Sequence, residues 1–446
     1  MSMGHKLNHA QSRALELVKC GKSIFLTGSP GTGKSFALKE IINYLKESHK
    51  QYAVTSSTGC SAVLINGQTI HSFMGIGVGS MNKENTMKKL KITKKYNILR
   101  DLQCLIIDEI SMIDDYTFEN ISSIMKTVKC NQLPFGGIQV ILVGDFCQLS
   151  PVTGDYCFKS EEWEKLNLSN VVLTELIRQK DDILFQKILQ EIRFGKCSKS
   201  SFEVFKNLQE KVFKGIKATK LYSLTSHVQE INTREYEKLF KKQYNKKPID
   251  GNVIQCFPTI AQSDVDWELL ATAESDEHAI YRYNAISNDK QIKIADYSID
   301  LFIGLQVMVT RNISITNGLI NGTIGTVTKL TNMYVCIKDK NQKEHVIYYH
   351  KDANDNTKTF VKFMPIKLAY SLSIHKSQGA TLDAIEVDGG IFIFAPGQLY
   401  TAISRARSLD CIRLVNIERD SFICNKSVKK FYNDLTEDNE HFKSDV

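Results

Sequence analysis

The chain has 446 residues, 42% of them hydrophobic, enough for more than one core at about 100–200 residues per domain. Its formal net charge of +8 suits a polyanionic partner without requiring one. The 11 cysteines form no CxxC pair and stand at no zinc-ligand spacing from a histidine, so they read as reduced thiols rather than a metal site. Met1 to Leu17 lacks the apolar core of a secretory signal and the Arg-rich character of a transit peptide, and no apolar run reaches membrane-spanning length. A soluble intracellular protein is therefore expected, with no membrane partner.

In chain order, the first third alternates strands and helices. Ser23 to Thr27 is a short apolar strand, and Ser35 to Glu47 is a helix with Ala37, Leu38, Ile41, Ile42 and Leu45 on one side. Strands follow at Tyr52–Thr55, Cys104–Ile107, Gln139–Val143 and Val171–Leu173. The fold class expected is α/β, a parallel sheet covered on both faces. From Gly75 to Arg100 the pattern breaks into a glycine- and lysine-rich stretch, read as an insertion with a solvated basic surface. A second alternating segment begins near Leu221, with a strand at Tyr222–Thr225 and a helix at His227–Phe240. Residues from about 241 to 300 are polar and irregular and receive no assignment. Short β segments at Leu305–Thr310, Thr323–Val327, Tyr334–Lys338 and His345–Tyr349, with a turn at Asn321-Gly322, suggest a small antiparallel barrel. Ile366–Ile374, Glu386–Asp388 and Ile412–Val415 complete a second sheet, and the acidic tail after Asp434 reads as frayed.

The octet Gly28, Ser29, Pro30, Gly31, Thr32, Gly33, Lys34, Ser35 matches G-x-x-x-x-G-K-S between a strand and a helix, the context that marks a phosphate loop. Its amides and the helix N-terminus favour phosphate; Lys34 would neutralise β- and γ-phosphate oxygens and Ser35 would hold Mg²⁺. The apolar strand before Asp108-Glu109 places Asp108 as a second Mg²⁺ partner, through water, and Glu109 to orient the attacking water. Gln148, in Gly144-Asp145-Phe146-Cys147-Gln148-Leu149, can sense the γ-phosphate; Arg178 and Arg405 would each bring positive charge to it, one from each half of the chain. Phosphate loops also occur in kinases, so a small-substrate enzyme and a binding subunit with a decayed motor are the readings from other classes.

In these segments the chain resembles the Pif (petite integration frequency) family of superfamily-one, B-type 5′-to-3′ DNA helicases, with RecD-like enzymes as near relatives. The matching stretches run from Leu7-Asn8 and Gln11 through Ser57-Thr58-Gly59, Thr69 to Phe73, Ile107 to Met112, Pro134 to Gln139 and Gly144 to Leu149. They continue through Leu319 to Gly325, Ser373 to Asp383 and Gln398 to Ala406. The Pro-Phe-Gly-Gly-Ile-Gln and His-Lys-Ser-Gln-Gly stretches are the specific ones. The resemblance implies two RecA-like parallel-sheet motor domains, residues 1–185 and residues 186–320 with 366–446, ATP between them, a β-barrel accessory domain at 321–365, and a short wedge insertion at about 75–100. It further implies that Gln11 reads adenine, that Arg178 and Arg405 are γ-phosphate arginines, and that Gln378 and Gly379 belong to a loop coupling nucleotide to DNA. Candidates for DNA contact by motif position are Thr58, Ser61, His71, Phe73, His375 and Lys376, supplying phosphate donors and ring faces that tolerate any base. For His71 and Phe73, core packing is a competing reading. The implied activity is ATP-driven 5′-to-3′ translocation on single-stranded DNA with unwinding of tailed or forked duplex, by a monomeric motor. Such an activity serves DNA replication, repair, recombination or telomere maintenance; a translocase that strips bound proteins with little unwinding is the alternative.

Overall fold

A computed structural model of the chain describes residues 7–76, 87–88, 90–211, 213, 218–244, 252–258, 279–288, 293–311, 313–314, 319, 323–339, 341–354, 359–378, 382, 384–390 and 393–441. By Cα proximity it divides into two compact units, residues 1–211 with 374–446, and residues 212–373.

The first unit is built on a six-stranded sheet. Its strands are β1 (Ile24–Gly28), β2 (Tyr52–Ser56), β3 (Gln68–Thr69), β4 (Cys104–Asp108), β5 (Gln139–Gly144) and β6 (Ser169–Leu173), in the order β3-β2-β4-β5-β1-β6. Every pairing in it is parallel. The expected strands are therefore present, and only the two-residue β3 escaped the sequence reading. Period-two alternation divides the sheet residues between two cores. Ile24 and Leu26 of β1 face helix α1 (His9–Lys19) and helix α2 (Lys34–Glu47), in a core that also buries Ala37, Leu38, Ile41 and Leu45. This is the face that the helical spacing of α2 predicts. Phe25 points the other way, into an aromatic layer: its ring centroid lies 5.4 Å from Phe146, 5.2 Å from Trp163 and 6.0 Å from Phe431. Phe431 belongs to the helix Lys426–His441, which carries the chain on through the acidic tail to His441. No Gly or Pro interrupts the described part of that tail, and its Leu and Glu residues favour helix. The strands β20 (Ile385–Asp388) and β21 (Ile412–Val415) pair in parallel in this unit.

The second unit holds β7 (Thr219–Tyr222) paired in parallel with β19 (Ser371–Ser373), against which the helix Thr225–Tyr244 is pinned. Asn232 donates to the Ser371 carbonyl at 3.1 Å and accepts from the Ser371 N–H at 2.9 Å. The single strand expected at Ile366–Ile374 is interrupted at Ala369-Tyr370: it divides into β18 (Ile366–Leu368) and β19, and Ile374 already opens a helical turn. The polar stretch left unassigned contributes β8 (Asn252–Cys256), β9 (Ala279–Tyr283) and β11 (Ile299–Leu301), with β9 parallel to β8 and antiparallel to β11.

The expected barrel is corrected. Among the described residues, β12 (Gln306–Val309), β13 (Ile324–Leu330), β14 (Tyr334–Asp339) and β15 (Glu344–Tyr348) form an open antiparallel sheet in the order β15-β14-β13-β12-β18. It does not close because β12 takes β18 as its second neighbour, so residues outside 321–365 supply two of the five strands. The strands β16 (His350–Asn354) and β17 (Thr359–Phe363) leave to form a separate antiparallel sheet, in which β17 pairs with both β16 and β10 (Ile286–Ser287). The turn at Asn321-Gly322 and part of the expected insertion, residues 77–86 and 89, lie outside the described residues. Of the insertion's described part, Lys95–Asp101 is helical.

Replacing Phe25 by alanine removes the ring around which the aromatic layer is stacked. A loss of about 3–5 kcal/mol is expected for a buried Phe→Ala change, read as a lower urea midpoint of the full chain; an unchanged midpoint would show that the layer contributes nothing.

Candidate nucleotide site

The phosphate loop leaves the carboxyl end of β1, between β5 and β6, where a parallel sheet gathers its ligand loops. Five other segments converge on it and line with it a cavity of about 570 Å³. Of the residues expected at the site, Gln11, Pro30, Gly31, Gly33, Lys34, Ser35, Glu109, Gln148, Arg178 and Arg405 line this cavity together. Asn8, Phe36, Glu175, Ile177 and Lys180 line it too and were not anticipated as site residues.

The N-terminal segment explains the Asn8…Gln11 spacing. Asn8 is the N-cap of α1, and the pair forms a reciprocal capping box: the Asn8 side chain accepts the Gln11 N–H at 2.9 Å, and the Gln11 side chain accepts the Asn8 N–H at 3.0 Å. The remaining amide group of Gln11 lies 3.5 Å from the carbonyls of Thr32 and Gly33. Gly33 has φ +86°, and a Cβ there would stand 2.5 Å from Gln11 Nε2, so only glycine allows this approach.

Lys34 sits at the start of α2, its ammonium donating to the carbonyls of Gly28 at 2.6 Å and Ser29 at 3.1 Å. Burial lowers its pKa, opposed by Asp145 and Glu109. Glu109 and Asp108 end β4. Burial, reinforced by Glu109, pushes Asp108 up to about 7. With the cavity-lining Ser35 hydroxyl, this carboxyl pair is an all-oxygen donor set suited to a hard divalent cation, whose charge would hold Asp108 ionised.

The two arginines arrive from distant sequence. Ile177 and Arg178 donate their N–H groups to the Gly31 carbonyl at 2.8 and 3.1 Å, which ties the segment after β6 to the phosphate loop. Arg178 also donates to the Ser404 carbonyl at 3.1 Å. Burial, with Arg405 and Arg407 nearby, brings its pKa down to about 9. Arg405 is 2% exposed and donates to Gln148 Oε1 at 3.0 Å and to the Thr401 carbonyl at 3.0 Å; burial lowers its pKa as well. The helix Gln398–Ile403 that precedes it starts at Gly397, φ +77°, where a Cβ would collide with the Gln148 carbonyl. Lys34, Arg178 and Arg405 thus face one cavity with their charged forms disfavoured by burial.

A feature the sequence reading missed lies directly beneath. Asp145, in the same segment as Gln148, is fully buried and paired with Arg193 Nη2 at 2.9 Å. It accepts from the Tyr432 hydroxyl at 3.0 Å, and that hydroxyl also takes the Phe146 N–H at 3.0 Å and meets Thr27 Oγ1 at 2.8 Å. Burial alone would raise the Asp145 pKa, but Arg193 overcomes this and holds it below the ordinary value. An acidic residue in the Gly-Asp-Phe stretch was the available signal; its partners, 48 and 287 residues away, carried none.

The remaining candidates are dispersed. Ser61 is 2% exposed, its hydroxyl engaged with Ser56 at 2.7 Å and with Thr58. Phe73 is 7% exposed, whereas Thr58, His71 and His375 are part-buried. Burial lowers the pKa of both histidines, so they are neutral near pH 7. Lys376 follows His375 in the helical turn Ile374–Ser377, and Gly379 lies outside the described residues.

Changing Asp145 to asparagine leaves Arg193 buried without its counter-ion. Removal of one partner of a buried pair is expected to cost about 3–5 kcal/mol. The ordinary value is 3.8 and the folded value lies below it, so the stabilisation is present at neutral pH and is lost only as pH falls through the lower value. Urea unfolding at pH 7 measures it, and a variant as stable as the parent refutes the pairing.

The chain is similar to known proteins over most of its length. The model of the PIF1-like helicase family matches residues 6–203, and that of the DNA helicase Pif1 2B domain matches residues 290–330. The chain is 32% identical to the ATP-dependent DNA helicase Pif1 of Bdellovibrio bacteriovorus, over 96% of this chain and 92% of that protein. It is 33% identical to the ATP-dependent DNA helicase PIF1 of Danio rerio over 98% of this chain, but spans only 65% of that longer relative. The crystal structure of the Pif1 helicase from Candida albicans superposes with a TM-score of 0.75 at 30% identity, covering 96% of this chain and 99% of that one. Among the described residues no helix is long and apolar enough to cross a membrane. From the capping-box segment to the Arg405 helix, then, this chain belongs to the PIF1-like helicase family.

Proposed function

We propose that this chain, an ATP-dependent DNA helicase by family, hydrolyses ATP in the cavity around the phosphate loop and converts each turnover into 5′-to-3′ movement along single-stranded DNA. The observation that carries the reading is the convergence of Lys34, Arg178 and Arg405 on one cavity with their charges disfavoured by burial. Three such cations call for a polyanion, and a triphosphate on a glycine loop supplies one.

In this reading Gly28, Ser29, Pro30, Gly31, Thr32, Gly33 and Lys34 cradle the phosphates, and Gln11 reads the adenine edge. Ser35 and Asp108 would hold Mg²⁺, which when bound would draw charge off the phosphate oxygens. Glu109 orients the attacking water and takes its proton. Gln148, joined to Arg405 at 3.0 Å, reports whether the γ-phosphate is present. Arg178 and Arg405 stabilise charge on the transferring phosphoryl, worth about 10³–10⁵ in rate for an arginine in that role. Residues 1–185 act as the first motor domain and 186–320 with 366–446 as the second, residues 321–365 as the accessory domain, and residues about 75–100 as the wedge. Thr58, Ser61, His71, Phe73, His375 and Lys376 lie along the DNA path of a monomeric motor, with Gly379 in the coupling loop. Opening a base-pair step requires about 1.4 kcal/mol of stacking, well within one ATP.

Two measurements test this. Lys34→Ala is expected to abolish DNA-stimulated ATP hydrolysis while single-strand binding persists; turnover equal to the parent would remove the site assignment. Strand displacement is expected on a duplex with a 5′ tail and not on one with a 3′ tail. Displacement of the 3′-tailed duplex alone would reverse the polarity, and translocation without displacement of either would favour a protein-stripping translocase.

A further inference from the structure

Gln378 follows the helical turn Ile374–Ser377 and is 2% exposed. Its Nε2 donates to Glu109 Oε2 at 2.9 Å, across 269 residues of sequence. Its own Oε1 is buried and has no hydrogen-bond partner. Glu109 is in the left-handed region at φ 53° and ψ 45°, with its N–H donating to Asp108 Oδ1 at 2.9 Å.

We propose that Gln378 is a brake on hydrolysis: its amide occupies the Glu109 carboxylate and must turn away before Glu109 can accept a proton from water. The inference rests on Glu109 having the role given above. Three features favour a restraint over an orienting contact. The amide occupies Oε2, one of the two carboxylate oxygens open to a proton. The orphaned Gln378 Oε1 makes the contact easy to leave, because rotation of the side chain can give that oxygen a partner. The left-handed backbone of Glu109 is a strained conformation of the kind that collects at working sites.

The release route follows from the same turn. The Gln378 N–H donates to the His375 carbonyl at 3.3 Å, and the Ser377 hydroxyl donates to the Ile374 carbonyl at 2.7 Å. His375, part-buried, and Lys376 are thus in the turn that carries Gln378. A single-stranded nucleic acid that engages this turn shifts Gln378 and frees Glu109, so hydrolysis becomes conditional on a strand being held.

Steady-state ATP hydrolysis by the full chain, with and without an oligothymidylate, tests the brake. Gln378→Ala is expected to raise kcat without DNA about tenfold, the scale of a lost hydrogen bond to a charged group, with KM for ATP changed less than twofold. The stimulation by DNA should shrink by the same factor. Gln378→Asn, whose amide falls short of Glu109, should behave alike and serves if the alanine variant folds poorly. Adding Glu109→Gln to either should abolish the gain. An unchanged or lower basal kcat in an otherwise active protein overturns the brake alone; a parent chain inactive with and without DNA overturns the functional reading and the brake with it.

Discussion

One buried carboxylate underlies the arrangement of the site. Asp145 is completely enclosed, and burying a charge is tolerable only where it is paired and hydrogen-bonded. Arg193 supplies the pairing, and Tyr432 supplies a hydroxyl that also meets Thr27 beside the phosphate loop and takes the N–H of Phe146. The end of β1, the end of β5 and the C-terminal helix are therefore fixed about one anion. That anion is also the leading source of favourable charge for Lys34.

Above this base the site is strongly electropositive. Lys34, Arg178 and Arg405 line the same cavity, and burial works against the charge of each. Such a cluster is unfavourable in isolation and becomes favourable around a phosphate chain, so binding energy and pre-organisation come from the same residues. Of the acidic members, Asp108 ends β4, where burial makes it a weaker acid than usual, and Glu109 follows it into the lining of the same cavity. A carboxylate and three cations lining one cavity are the groups that a hydrolytic site for a metal–nucleotide complex requires.

Contacts between far-separated segments tie the chemistry to the rest of the chain. Gln148 meets Arg405, Arg178 meets the Ser404 carbonyl, and Gln378 meets Glu109. Each joins a residue before position 180 to one after position 375, so the C-terminal segment is held directly against the residues of the cavity.

What could be read from the amino acids alone was whatever depends on local spacing. The G-x-x-x-x-G-K-S octet, the apolar run before Asp108-Glu109 and the helical stripe of Ala37, Leu38, Ile41 and Leu45 each specify a conformation within a few residues, and all appear where expected. Partnership over long separations is not written in local pattern. The open course of the β15-β14-β13-β12-β18 sheet depends on β12 choosing β18, and a strand's periodicity names its buried face but not its neighbour. Likewise the burial of Ser61 and the pairing of Asp145 with Arg193 and Tyr432 arise only when distant segments exclude water from a shared volume. The sequence alone determined the catalytic alphabet and the parallel sheet that presents it; the tertiary structure decided which charges neutralise one another, because that depends on distance and burial rather than on order along the chain.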